Sequence, residues 1–143
     1  MEAVIAKNEE QMKDAFYVRK EVFVKEQNVP VEEEIDELEN ESEHIVVYDG
    51  DRPVGAGRWR LKEGLGKIER ICVLKSHRSS GVGVIIMQAL EKAAEARGVS
   101  GFILNAQTQA VPFYEKQGYK VSSKEEFLDA GIPHLQMIKY RSF

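Results

Sequence analysis

The chain has 143 residues, 43% hydrophobic and 31% charged, with 24 acids against 20 lysines and arginines and a formal net charge of −4. That length fits one domain, residues 1–143, with a core of its own, and the acidic balance speaks against a general nucleic-acid binder, which needs a basic surface. One cysteine, Cys72, permits no internal disulfide and with three scattered histidines makes no metal cluster; no apolar run spans a bilayer and the start "MEAVIAKNEE" is no leader, so a cytoplasmic chain with no metal and no membrane partner is expected.

"AVIAK" reads as a short strand. "NEEQMKDAFYVRKEVFVKEQ" follows as a helix, with Asn8 as cap and Gln11 three residues on, as in a capping box. Met12, Ala15, Phe16 and Phe23 share one face at helical spacing. Arg19 lies on that apolar stripe, seven after Met12, and Glu26 seven after Arg19; a charge there needs a partner or a purpose. "VEEEIDELENESE" is an acidic block, read as a solvated face or as a field that draws in a cationic amine.

"HIVVYDGDRPVGAGRWRL" predicts a hairpin turning at Asp49-Gly50, with "GKIERICVL" as the next strand. "VLKSHRSSGVGVIIMQALEKA" then passes from strand to helix. Val82, Ile85, Ile86, Ala89, Leu90 and Ala93 make its buried stripe, and Gly98 ends it. "SGFILNA" is a strand, "TQAVPFYEKQ" a short helix ending near Gly118, and "YKVSS" and "HLQMIKY" are strands. Strands alternating with helices predict a mixed α/β sheet covered by helices.

From Ile71 to Leu90 there is no acid at all. The helix N-terminus in "RSSGVG" offers unpaired amides and the positive end of a dipole, Gly81 and Gly83 let an anion approach the backbone, and Lys75 and Arg78 add charge. This is a recipe for a phosphate cradle. The plainer alternative is a serine N-cap, Ser79 or Ser80, with glycines easing a turn.

Strand, Arg-x-x-Gly-x-Gly and amphipathic helix together resemble the signature of the GCN5-related N-acetyltransferase (GNAT) superfamily. "NAQTQAVPFYEKQGY" is similar to the same family's second half, and "VRKEVFVKEQ", "GRWR" and "GIPHLQM" resemble its bacterial YjcF-like branch. The resemblance implies a GNAT fold: a mixed sheet of six to seven strands with splayed parallel fourth and fifth strands (near Lys67–Leu74 and Gly101–Ala106), flanked by about four helices. It implies acetyl-CoA as acyl donor, with pantetheine on the backbone of Ile71, Cys72 and Val73. The pyrophosphate would sit on Arg78 and the stretch Ser79, Ser80, Gly81, Val82, Gly83 and Val84, and Phe113 would border the cofactor. Asn105 or Gln107 would supply an amide to the arm.

Acetyl transfer to an amine needs a neutral acceptor, a donor for the oxyanion, such as the Val73 amide, and a proton for the departing thiolate. Tyr114 stands at the family's position for the acid; otherwise it is a core aromatic. Glu69 either takes the amine proton through water or forms a salt bridge with Arg58 or Arg60, and His134 is the second candidate base. Arg19, Glu26 and Arg58 are expected beside the acceptor, with a structural ion pair as the alternative. Cys72 reads as a small buried residue and not as a nucleophile. The expected activity is transfer to a small primary amine; the rivals are a CoA-binding sensor without turnover and a protein or peptide lysine acetyltransferase. A homodimer is compatible with the resemblance.

Overall fold

The computed structural model describes residues 1–141. Asn8 Oδ1 accepts the Gln11 amide at 2.8 Å while Gln11 Oε1 accepts the Lys7 amide at 2.8 Å, so the capping residues start helix α1 (Glu9–Arg19) after strand β1 (Glu2–Ile5). The single long helix expected here is two pieces. After Arg19 the chain widens into a π-helical stretch, Lys20–Glu26, closed by the Gln27 amide on the Val22 carbonyl. The acidic block is also structured, with a short helix α2 (Val31–Glu34) and a 3-10 turn, Glu39–Glu41.

The strands β2 (Glu43–Asp49), β3 (Arg52–Lys62) and β4 (Leu65–Val73) are joined by the Gly50 turn and by a two-residue turn at Glu63 and Gly64, both with positive φ. Helix α3 (Val82–Glu95) crosses to β5 (Gly101–Gln107), and α4 (Val111–Lys116) leads to β6 (Lys120–Val121), β7 (Phe127–Asp129) and β8 (Ile132–Tyr140). The expected helix over "TQAVPFYEKQ" begins as a 3-10 turn, and "YKVSS" keeps only two residues of strand. One strand escaped the sequence reading: β7 turns into β8 through Ala130 and Gly131, both at positive φ, bringing the sheet to eight strands among the described residues.

Strand order is β1-β2-β3-β4-β5-β8-β6, with β7 beside β8; only β4 and β5 run parallel. Their pairing is short: Gly66, Lys67 and Ile68 match Phe102, Ile103 and Leu104, and then it stops. The cause lies on the other edge of β4. Arg58 opposes Glu69 and Ala56 opposes Cys72, so Arg70 and Ile71 together face Gly57, and Arg70 takes the left-handed φ of +62°. A bulge of this kind bends its strand, and it lies two residues after Ile68, the last residue of β4 paired with β5. The sheet opens into a V.

Helix α3 buries Val82, Ile86, Met87, Leu90 and Ala94 on one face of the sheet. Helix α1 and the π-helical stretch cover the other, with Ala15, Val18 and Val22 buried. Among the described residues no helix is long and apolar enough to cross a membrane.

Candidate active site

At one end of the V lies the acid-free loop. A 3-10 turn, Lys75–His77, leads to Arg78; Ser79 takes φ +67° and Gly81 φ +87°, and α3 starts at Val82. Neither serine caps the helix. The Ser80 hydroxyl donates to the His77 carbonyl, and Gly81 is the cap residue, with no side-chain bond to the first turn. The first intrahelical bond joins the Ile85 amide to the Gly81 carbonyl, so the Val82, Gly83 and Val84 amides precede the ladder. Alternating backbone hands and amides ahead of a fourteen-residue helix form a nest for an anion. The pyrophosphate of acetyl-CoA fits these groups.

Gly83 has a packing reason besides the one expected. A Cβ there would stand 3.0 Å from Phe113 Cζ, so Gly83 serves the packing of α4 on α3, and Phe113 fills that contact. Arg78 bridges the mouth of the V, with Nε donating to the Val73 carbonyl at 3.1 Å and Nη2 to Glu26 at 2.6 Å.

At the other end a cleft of about 600 Å³ opens between the sheet and the acidic block. Glu69, Ile71, Asn105, Gln107, Tyr114 and His134 line it, and α4 sets Tyr114 into its wall. The Tyr114 hydroxyl has no partner among the described residues, while its ring packs edge-on against Phe113 at 5.1 Å and Tyr119 at 6.1 Å. Burial, with a smaller effect of the neighbouring Cys72, pushes the phenol well above its ordinary range, so it stays protonated through neutral pH. Burial likewise pushes the Cys72 thiol up to about 12, and its Sγ lies 3.8 Å from the Ala56 carbonyl. A thiol in that state is no nucleophile.

His134 Nδ1 lies 2.6 Å from the Ile132 carbonyl, which only accepts; Nδ1 therefore carries the proton and Nε2 of the neutral ring keeps its lone pair. Phe127 stacks on the ring at 6.1 Å. Glu69 is engaged through a single oxygen: Oε1 meets Arg58 Nη2 at 3.1 Å and Arg60 Nε at 3.1 Å. The two amides at the end of β5 also differ. Gln107 is bonded to Gln27 and Gln109 at 2.9 and 2.6 Å, whereas Asn105 Oδ1 is buried without a partner.

The three residues expected around the acceptor stand elsewhere. Glu26 pairs with Arg78 at the mouth. Arg19 and Arg58 are each 1% exposed, inside a closed ring of alternating charge. Arg19 meets Glu34 at 3.0 Å, Glu34 meets Arg70 at 2.9 Å, and Arg70 meets Asp36 at 3.3 Å. Asp36 meets Arg58 at 2.9 Å, Arg58 meets Glu39 at 2.8 Å, and Glu39 returns to Arg19 at 2.7 Å. Three of the eight acids in the block, Glu34, Asp36 and Glu39, are thus tied up in ion pairs and not free to attract an amine. They hold the block to α1, β3 and β4, and the ring fixes the outer wall of the cleft.

The Arg58 hydrogen bond holds Asp36 at about 2; burial raises Glu39, but Arg19 and Arg58 outweigh it and hold that carboxyl at about 2 also. Unfolded, both bind protons at higher pH, so the stabilisation is complete above about pH 5 and drains as the pH falls toward 2. Chemical denaturation at pH 6, 4 and 2.5 should show stability falling by roughly 2–3 kcal/mol per carboxyl. A flat profile would contradict the ring.

A sheet split between parallel β4 and β5, with free helix amides at one end and a cleft holding an unbonded phenol at the other, defines the architecture of an acetyltransferase domain. Comparison with known proteins agrees: residues 4–141 match the acetyltransferase (GNAT) domain, and the chain belongs to that family. It is 83% identical over 139 residues to YjcF of Bacillus subtilis (strain 168), described as an uncharacterized N-acetyltransferase, across 97% of this chain and 99% of that one. An acyl-CoA N-acyltransferase from Pseudomonas aeruginosa superposes with TM-score 0.84 at 23% identity, over 96% and 98% of the two chains. A B. subtilis acetyltransferase in complex with CoA superposes with TM-score 0.74 at 13% identity, over 98% of each.

Proposed function

We propose that the chain transfers the acetyl group of acetyl-CoA to a primary amine of a small molecule, by direct attack within a ternary complex. The observation that carries this reading is the V itself, with the amide nest at one end and Tyr114 in a cleft at the other. A cleft of about 600 Å³ suits a small acceptor better than a peptide lying across a surface.

Acetyl-CoA supplies the acetyl group as a thioester. The chain binds the pyrophosphate on the amides from Ser79 to Val84, and the unpaired edges of β4 and β5 take the amide-bearing arm. Asn105, the amide with a free buried acceptor, meets an N–H of that arm in preference to Gln107. His134 Nε2 receives the amine proton through water, and Glu69 Oε2 is the alternative route. The amine nitrogen bonds to the carbonyl carbon, the carbon–sulfur bond breaks, and the Tyr114 hydroxyl gives its proton to the departing sulfur. Buried Cys72 takes no part.

Calorimetric titration with acetyl-CoA tests the cofactor site in the wild-type chain, Gly81→Ala and Gly81→Glu. Both variants force a side chain into the left-handed backbone at Gly81, but only glutamate adds charge. Like charges about 6 Å apart at an effective dielectric of about 20 repel by roughly 3 kcal/mol. Gly81→Glu should therefore bind at least tenfold more weakly than Gly81→Ala. No binding to the folded wild type would remove the cofactor and the reading with it.

A further inference from the structure

Lys67 is unexplained by anything above. It is 5% exposed, lies on β4 two residues before Glu69, and lines the floor of the cleft. Among the described residues it makes no hydrogen bond and no ion pair. Two acids act on it without a direct bond: Glu69, engaged by Arg58 and Arg60 through Oε1, and, more weakly, Asp129 on the cleft wall; Lys62 and Arg60 add positive charge. A buried cation without a partner costs stability. Every other strongly buried charge here, Arg19, Glu34 and Arg58, is saturated. The exposed carboxylates Glu32, Glu33 and Glu37 stand around the same cleft on the acidic-block side.

The cleft thus presents negative charge where an acceptor enters and, at its floor, an ammonium with no direct partner among the described residues. We infer that the acceptor carries, besides its amine, an anionic oxygen group that pairs with Lys67 Nζ. This inference rests on the acetyltransferase reading of the cleft and narrows it to amines bearing a carboxylate or a phosphate. Simple amines and polyamines would leave Lys67 unpaired. Burial lowers the Lys67 pKa, so the bare cleft holds the cation reluctantly and an arriving anion restores it.

The test separates binding from turnover. Protein saturated with CoA, which has no acetyl group to give, is titrated calorimetrically with matched pairs: lysine against 1,5-diaminopentane, phenylalanine against 2-phenylethylamine, and glucosamine 6-phosphate against glucosamine. The inference expects the anionic member of at least one pair to bind tenfold or more tightly, and the successful pair tells carboxylate from phosphate. Lys67→Met should erase that preference and Lys67→Arg should keep part of it. Lys67→Met should also raise the melting temperature of the ligand-free chain, since it removes a buried unpaired charge. Equal binding within every pair, an undiminished preference in Lys67→Met, or a lower melting temperature in that variant would overturn the inference. Turnover of the same amines with acetyl-CoA is scored separately. Anion-dependent binding without any turnover would sink the enzymatic reading and leave the anion site standing.

Discussion

Replacing Tyr114 by phenylalanine should lower kcat by about two to three orders of magnitude, the usual worth of a positioned general acid, while KM for acetyl-CoA changes less than about twofold. The substitution removes one oxygen from a ring that already packs on Phe113 and Tyr119, and that oxygen bonds to nothing among the described residues. The melting temperature should therefore hold. What disappears is the proton for the sulfur, which must then leave as an unassisted thiolate. A thioester donor with a more acidic thiol needs that proton less, so it should narrow the gap between wild type and variant. Steady-state rates on a found acceptor, with natural and activated donors, measure both effects. An unchanged kcat would mean that Tyr114 is only a wall of the cleft.

The second large effect concerns stability. Arg19→Met should cost about 3–5 kcal/mol, because it leaves Glu34 and half-buried Glu39 short of their shared counter-charge. For a chain of this size that is a fall of roughly 10 °C or more in melting temperature. Methionine keeps the side-chain length and sits among apolar neighbours on the buried stripe of α1, so the loss reports the missing charge. Adding Glu34→Gln and Glu39→Gln to Arg19→Met should recover part of it. Thermal unfolding of the single and triple variants checks this; a fall of less than 3 °C would show the ring to be dispensable.

The strand-to-helix loop with its free amides was legible in the sequence because it is local: glycines, serines and missing acids all lie within about twenty residues of one passage. That Tyr114 and His134 line the cleft could be expected only from the resemblance, since nothing near either residue in the sequence sets it apart from core. The charge ring was not legible. Arg19, Arg58 and Arg70 meet Glu34, Asp36 and Glu39 across three separate elements, and no spacing along the chain announces such a closure. Arg19 on an apolar stripe raised the question of a partner; Glu34 and Glu39 answer it, and Glu26 does not. Strand β7 was missed because "EEFLDAG" carries too few apolar residues to show alternation, and only the Ala130-Gly131 turn onto β8 makes it a strand. Lys67 went unnoticed because an alternating strand offers no sign of which charged residue loses its solvent.

The bulge at Arg70 bears on how a chain of this design tolerates changes in length. Side chains along a strand alternate between faces, and one additional residue resets the alternation. Before the bulge Lys67 and Glu69 look into the cleft; after it Ile71 lies with Gly57 under Ile86 of α3, and Cys72 shares the side of Ala56. Deleting one residue between Glu69 and Cys72 would let β4 pair with β3 without a break, Cys72 still opposite Ala56, and would remove the bend that the bulge puts into β4. The turn at Glu63 and Gly64 could lengthen by several residues at small cost. Natural variation in length is thus permitted at the hairpin tip and forbidden a few residues away.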